Sequence, residues 1–150
     1  MDIKEIEHRN QVLRAYFEGR DWDSNNEYAL KRKLVLNSTK LLSKYQYVVE
    51  DEWEVEPSRS DKGRGDLVFT DGSGRFAVVE VKWIDIEGGG RTGSTKRTSN
   101  RKKRRKVEEQ AIDYANRWSK RFDINQVEAY IFTNEQDCPM MPINPNDARA

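Results

Sequence analysis

The sequence contains few of the residues on which several common kinds of protein site depend. It has one cysteine, Cys138, and one histidine, His8, in 150 residues. A single cysteine cannot form a disulfide within the chain, and a zinc cluster or a Cys/His dyad has almost no ligands to draw on. We therefore expect no histidine-based chemistry.

Long apolar runs are missing as well. No window approaches the roughly 18 apolar residues of a membrane span, and Met1–Glu5 has mixed charge where a secretory signal needs an apolar core. We therefore expect an intracellular protein with no membrane partner. The hydrophobic and charged fractions are both 35%, with four Trp, six Tyr and five Phe, which predicts a single globular domain over residues 1–150.

The net charge of +1 conceals a strong asymmetry. Nine basic residues and no acid lie between Arg91 and Lys106, which leaves 18 basic and 26 acidic residues, a net charge of −8, elsewhere. This asymmetry indicates a polyanionic partner, most often nucleic acid; a targeting signal or a merely solvated segment is the alternative. The candidate contacts to nucleic acid are Lys96, Arg97, Arg101, Lys102, Lys103, Arg104, Arg105 and Lys106. The run Arg101 to Lys106 also predicts nuclear localisation if the source is eukaryotic, and cytoplasmic otherwise.

Hydrophobic periodicity predicts the order helix, helix, strand, strand, strand, helix, strand. The two helices cover residues 3–18 and about 26–44, and residues 47–56 read as an edge strand with one acidic face. Residues 65–69 and 76–83 form a hairpin around the turn-forming residues 71–74. Because a crossover helix and a further strand follow the hairpin, we expect an α/β fold with a central mixed sheet flanked by helices.

The second half of the chain begins with a segment that has no core-forming residues. Residues 88–106 are rich first in glycine and then in positive charge, which predicts a flexible basic loop. Helical spacing becomes clear from about Ser99 to Phe122, and residues 127–134 read as the last strand. The tail, residues 135–150, is predicted to be irregular.

The hairpin carries the residues with the clearest chemical meaning. Its second strand is apolar on both faces, so Glu80 and Lys82 on one face are costly to desolvate unless something compensates them. With the turn at residues 71–74, antiparallel pairing brings Asp66 level with Glu80. Two carboxylates at this point suit a divalent ion such as Mg²⁺, and Lys82 would lie beside the ion, where it can orient an attacking water.

The spacing of Asp66, thirteen residues, and then Glu80-Val81-Lys82 resembles the PD-(D/E)xK nuclease superfamily, which has the restriction-endonuclease-like fold. Gln110 and Tyr114 in the following helix are similar to the QxxxY element of RecB-like nucleases. The resemblance covers roughly residues 25–134. The proline for which the superfamily is named is absent before Asp66, where Arg64-Gly65 stands.

The resemblance implies a metal-dependent deoxyribonuclease that hydrolyses DNA phosphodiester bonds, as an endonuclease or a structure-specific nuclease related to Holliday junction resolvases. It implies Mg²⁺, for which Mn²⁺ can substitute, held by Asp66, Glu80 and the Val81 carbonyl. Lys82 would lie beside the nucleophile and Gln110 would steady the site. Glu27 is the candidate for a glutamate that many relatives place on the helix before the sheet, and Tyr114 is a further candidate.

Other interpretations of the same residues stay open. Glu80 and Lys82 can be an ordinary ion pair on a half-exposed strand, and Gln110 and Tyr114 can be packing residues. A non-catalytic nucleic-acid-binding protein that retains the nuclease fold is the alternative function. A homodimer is possible on either interpretation, and the sequence contains no readable element for substrate specificity.

Overall fold

A computed structural model describes residues 1–20, 26–55, 63–84 and 93–142, and for residues 93–99 it describes the backbone alone. The described residues form three helices, three strands, a fourth helix and a fourth strand, in nearly the order that the sequence predicts. The helices are α1 (Ile3–Glu18), α2 (Asn26–Leu36), α3 (Ser38–Leu41) and α4 (Gly93–Phe122). The strands are β1 (Tyr47–Glu54), β2 (Arg64–Thr70), β3 (Phe76–Lys82) and β4 (Val127–Thr133).

The four strands form one mixed sheet in the order β1-β2-β3-β4. Strands β1, β2 and β3 are antiparallel neighbours, whereas β4 runs parallel to β3 after the crossover through α4. Parallel neighbours need such a crossover because a tight turn can only join antiparallel strands. The predicted α/β class, with a mixed sheet flanked by helices and β1 at its edge, is confirmed.

The β2–β3 hairpin sets the register of the site. Asp71 closes the connection, because its Oδ1 accepts hydrogen bonds from the N–H groups of Ser73 and Arg75 at 2.7 and 3.1 Å. Gly72 and Gly74 adopt positive φ angles of 83° and 99°, which glycine reaches without steric cost. Beyond this turn Thr70 pairs with Phe76 and Leu67 with Val79, so Asp66 lies level with Glu80.

Both faces of β3 are buried, as a central strand requires. One face, with Ala77, Val79 and Val81, packs with buried residues of α2 and with Phe17 of α1. The other face, with Phe76 and Val78, packs on Tyr114, Ala115 and Trp118 of α4. The sheet is therefore covered by α2 on one side and α4 on the other, and Glu80 lies on the α4 side by strand alternation.

Two predicted boundaries are wrong. The second helix does not continue to Lys44, because α2 ends at Leu36, where the Asn37 side-chain amide donates to the Lys33 carbonyl at 2.8 Å, and a short α3 follows. The predicted basic loop is also wrong for residues 93–106, which are helical and belong to α4. Lys and Arg are good helix formers, so a helix anchored at its C-terminal end can extend through them without a core. Residues 88–92 lie outside the described part of the chain.

The remaining predictions concern the tail and membranes. An isolated bridge pairs Ile131 with Met140, so part of the predicted irregular tail returns to the sheet; residues 143–150 lie outside the described residues. Within the described residues, no helix combines the length and the apolar character needed to cross a membrane.

Candidate functional site

Asp66 and Glu80 are joined to each other's strands through the backbone. The Asp66 N–H donates to Glu80 Oε2 at 2.8 Å, and the Val81 N–H donates to Asp66 Oδ2 at 2.8 Å. These two bonds stand where the β2–β3 ladder stops, one residue beyond the Leu67–Val79 pair. Beyond the last ladder pair, hydrogen bonds from the main chain to the two carboxylates take the place of bonds between the strands. The main chain therefore sets the positions of both carboxylates.

The two carboxylates are expensive to ionise together. Glu80 is 3% exposed; its burial, and then the charge of Asp66, raise its pKa to about 9. Burial also raises the pKa of Asp66, although Lys31 and the Val81 N–H act in the opposite direction. The environment of Glu80 therefore favours its protonated form, and an added cation would favour its charged form.

A cavity of about 360 Å³ opens beside Asp66 on the α2 side of the sheet. Four acids and one lysine line it together with two tyrosines, and we call it the acidic cavity. Its lining residues are Tyr16, Glu27, Tyr28, Lys31, Asp51, Glu52 and Asp66. The cavity thus joins Asp66 to Glu27, the helix glutamate singled out in the sequence.

Lys31 is a member of the site that the sequence analysis missed. It is only 7% exposed, and its ammonium lies 2.7 Å from Asp51 Oδ1 and 3.5 Å from Asp66 Oδ1. Burial alone would lower the pKa of Lys31, but the two carboxylates outweigh it and the pKa is raised. The available signal was its helical spacing from Tyr28 and Leu34, which places Lys31 on the buried face of α2.

Glu52, which lines the acidic cavity, has an unusual backbone conformation. It has a positive φ of 51° within β1, between the Asp51–Leu67 and Trp53–Gly65 pairs. Successive residues of a regular strand point to opposite faces, whereas Asp51 and Glu52 both line the cavity. A non-glycine residue in this conformation is uncommon, and such residues cluster at functional sites.

Lys82 ends β3 and points its charge to α2. Its ammonium lies 3.3 Å from Glu27 Oε1, and both side chains are about half exposed. The structure therefore brings two of the predicted residues into contact, and Glu27 connects Lys82 to the acidic cavity that contains Asp66.

Tyr114 and Gln110 lie one helical turn apart on α4. Tyr114 is 8% exposed and packs edge-to-face on Trp53. Its hydroxyl lies against Gly63, just before β2, and the charges of Glu80 and Asp66 add to burial in raising its pKa. Tyr114 is thus both a packing residue and a neighbour of the carboxylates. Gln110 is half-buried, and within the described residues no hydrogen bond joins it to Asp66 or Glu80.

Gly65, immediately before Asp66, lies against the indole of Trp53. A Cβ at position 65 would be 2.2 Å from Trp53 Nε1, far closer than real contacts allow. The Gly65 φ angle is not positive, so the requirement for glycine is one of space. Trp53 therefore fixes the backbone that leads into Asp66.

The basic residues form an exposed row on α4. Arg101, Lys102, Arg105 and Lys106 are exposed, and their spacing of three and four residues places them on neighbouring positions of the helix surface. Arg104 instead makes a two-bond ion pair with Glu135, at 2.7 and 2.5 Å. Lys103 is half-buried, and the side chains of Lys96 and Arg97 lie outside the described residues. We call the four exposed residues the basic row.

The carboxylate pair has the ligand chemistry of a divalent-cation site. Among the described residues, no three His, Cys, Asp or Glu side chains are grouped so that they could hold a metal ion. Mg²⁺ commonly takes only one or two carboxylates from protein, with water and substrate phosphate as further ligands. Asp66 and Glu80 supply two, and the Val81 carbonyl points to the same side of its strand as its N–H, which donates to Asp66. This donor set fits Mg²⁺.

No family model, curated protein or solved structure matches this chain. The function of the chain is therefore inferred from the chemistry of the site.

Proposed function

We propose that this chain is a metal-dependent deoxyribonuclease with a restriction-endonuclease-like fold. The observation that carries the proposal is the Asp66–Glu80 pair, two carboxylates held level across the hairpin by hydrogen bonds from the main chain, with Glu80 buried and Asp66 partly buried. An acid buried next to Asp66 is costly in a protein that only packs its core. Perturbed carboxylates next to a cavity are typical of functional sites.

Each nearby residue has a role in this proposal. Asp66, Glu80 and the Val81 carbonyl bind Mg²⁺ or Mn²⁺, which supplies Lewis-acid stabilisation of the charge that develops on the phosphate. Lys82, at the exposed end of β3, donates a hydrogen bond to the attacking water.

Glu27 and Gln110 act around this core. Glu27 holds the Lys82 ammonium in place, as its 3.3 Å ion pair indicates. Gln110, half-buried one turn from Tyr114, offers an amide to the bound phosphate or water. In the reaction the water oxygen forms a bond to phosphorus and the water releases a proton to solvent, while the ester P–O bond breaks and the leaving oxygen takes up a proton from solvent.

The basic row supplies the attraction for a polyanion. At about 1.5 Å per residue, Arg105 lies about 14 Å along α4 from Tyr114, so the row begins near the site and extends away from it. The rest of the chain is net acidic, which leaves this helix as the favourable approach for a phosphate backbone. DNA is therefore the proposed substrate.

The test is cleavage by the purified protein of linear, circular, single-stranded and branched DNA. Each substrate is incubated with Mg²⁺, with Mn²⁺ and with EDTA, for the wild type and for Asp66→Asn. We expect cleavage with either metal, none with EDTA, and none by Asp66→Asn. Glu7→Gln, an exposed acid on α1, is the matched control and should cleave like the wild type.

Two results would contradict the proposal. Cleavage that persists in EDTA or in Asp66→Asn would exclude these carboxylates as metal ligands. Tight DNA binding without cleavage of any substrate in either metal would instead favour the non-catalytic binding protein.

A further inference from the structure

Lys31 is an unusual lysine because its ammonium lies inside the molecule between two carboxylates. Its distances are 2.7 Å to Asp51 Oδ1 and 3.5 Å to Asp66 Oδ1. The residue is 7% exposed, and both partners line the acidic cavity. A buried ammonium is stable only when its charge is compensated, so this position is built to hold one positive charge.

The two oxygens of Asp66 are used differently. Oδ2 accepts the Val81 N–H on the side of Glu80, whereas Oδ1 faces Lys31 on the side of Asp51. A divalent ion shared with Glu80 would lie on the first side. Asp66 and Asp51 could hold a second ion only in competition with the Lys31 ammonium, which already lies next to Oδ1 of each.

We propose that the Lys31 ammonium is a built-in cation that takes the place of a second metal ion, so that the site binds one divalent ion. This inference rests on the proposed function, because it assumes that Asp66 and Glu80 bind the first ion. Lys31 is a positioning residue, since it acts on the bound ion through Asp66. The Lys31 ammonium contributes a fixed positive charge at a position where a site without this lysine would bind a second metal ion from solution.

The test is the number of Mn²⁺ ions bound per chain without DNA, measured by calorimetry and by electron paramagnetic resonance. The wild type should bind one ion that Asp66→Asn removes. Lys31→Ala should bind two, because Asp51 and Asp66 Oδ1 are then left facing the cavity. Lys31→Ala combined with Asp51→Asn should return the count to one. Lys31→Arg, which keeps the charge, and Lys33→Ala, an exposed lysine on the same helix, should each bind one.

The outcomes separate this inference from the proposed function. Two ions in the wild type, both lost in Asp66→Asn, would overturn the role of Lys31 while leaving the carboxylate site intact; so would a folded Lys31→Ala that still binds one. Mn²⁺ binding that Asp66→Asn and Glu80→Gln leave unchanged would overturn the proposed function itself. If circular dichroism shows that Lys31→Ala does not fold, the number of Mn²⁺ ions bound by the wild type decides, and two ions would overturn the role of Lys31.

Discussion

Glu80 is buried with Asp66 partly buried beside it, whereas the charged groups of the basic row lie on the surface of the molecule. The acids are positioned by backbone hydrogen bonds, and burial alters their protonation. The cations project from a helix into water, where they remain ionised and salt screens them. The carboxylate pair and the basic row thus lie in different environments, and the two regions should respond to different changes.

Removing one buried acid should have the largest effect. Glu80→Gln keeps the shape of the side chain and an acceptor for the Asp66 N–H but loses the charge that is proposed to bind a metal. We expect the rate of Mg²⁺-dependent DNA cleavage to fall by on the order of a thousandfold or more, the several kcal/mol of charge stabilisation that a catalytic metal gives. Single-turnover kinetics with linear DNA measure this. Cleavage by Glu80→Gln at the rate of Glu7→Gln would show that the buried pair is structural.

Changes to the basic row should alter binding instead of chemistry. Replacing Arg101, Lys102, Arg105 and Lys106 by Ser should flatten the slope of log K against log salt by up to about 3.6, at about 0.9 per phosphate contact on duplex DNA. Binding is measured over a salt series in Ca²⁺.

The control for this prediction removes the same charge from another part of the surface. The control variant replaces four exposed lysines outside α4, namely Lys4, Lys33, Lys40 and Lys44. Their replacement by Ser should leave the slope nearly unchanged. Equal slopes for the two quadruple variants would show that the row contacts no phosphate and would favour nuclear targeting for residues 101–106.

The buried acids should also control stability without metal. The pKa of Glu80 in the folded protein is raised to about 9, from an ordinary value of about 4.5. The contribution of the protonated Glu80 side chain to the free energy of unfolding is therefore complete below about pH 4.5 and is lost as the pH rises toward 9. Glu80→Gln lacks this loss, so at pH 8 it should be more stable than the wild type by roughly 1–3 kcal/mol. Urea unfolding in EDTA from pH 5 to pH 9 measures the difference. A constant difference over this range would contradict the burial of Glu80.

The surface ion pair between Arg104 and Glu135 should matter least. The bond from Arg104 holds the pKa of Glu135 below its usual value, so its contribution is present at neutral pH and is lost as pH falls into the acid range. Both side chains are partly exposed, and Glu135→Gln should therefore cost under about 1 kcal/mol, less at high salt. Urea unfolding at two salt concentrations checks this, and a loss well above that value would show that the pair anchors α4.

The sequence predicted the elements whose pattern is local. Turn residues 71–74 and the two apolar runs around them define the hairpin, and the hairpin alone places Asp66 level with Glu80. The start of α4 could not be predicted, because residues 93–106 lack the apolar periodicity of a packed helix although a helix can extend through them. The burial of Lys31 could not be predicted from local sequence, because its partners, Asp51 of β1 and Asp66 of β2, lie 20 and 35 residues further along the chain. Strand alternation predicts Lys82 on the same face as Glu80, whereas its contact with Glu27 depends on how α2 packs on the sheet and could not be predicted from the sequence.

The close contact between Gly65 and Trp53 bears on how chains of this kind diverge. A proline at position 65, the residue for which the resembled superfamily is named, would add a ring where even one carbon atom meets the indole. Positions 53 and 65 should therefore vary as a pair, with glycine accompanying tryptophan and any larger residue at 65 accompanying a smaller one at 53. A sequence pattern that requires proline before the acid would then fail to detect chains in which a tryptophan of β1 fills the space next to position 65.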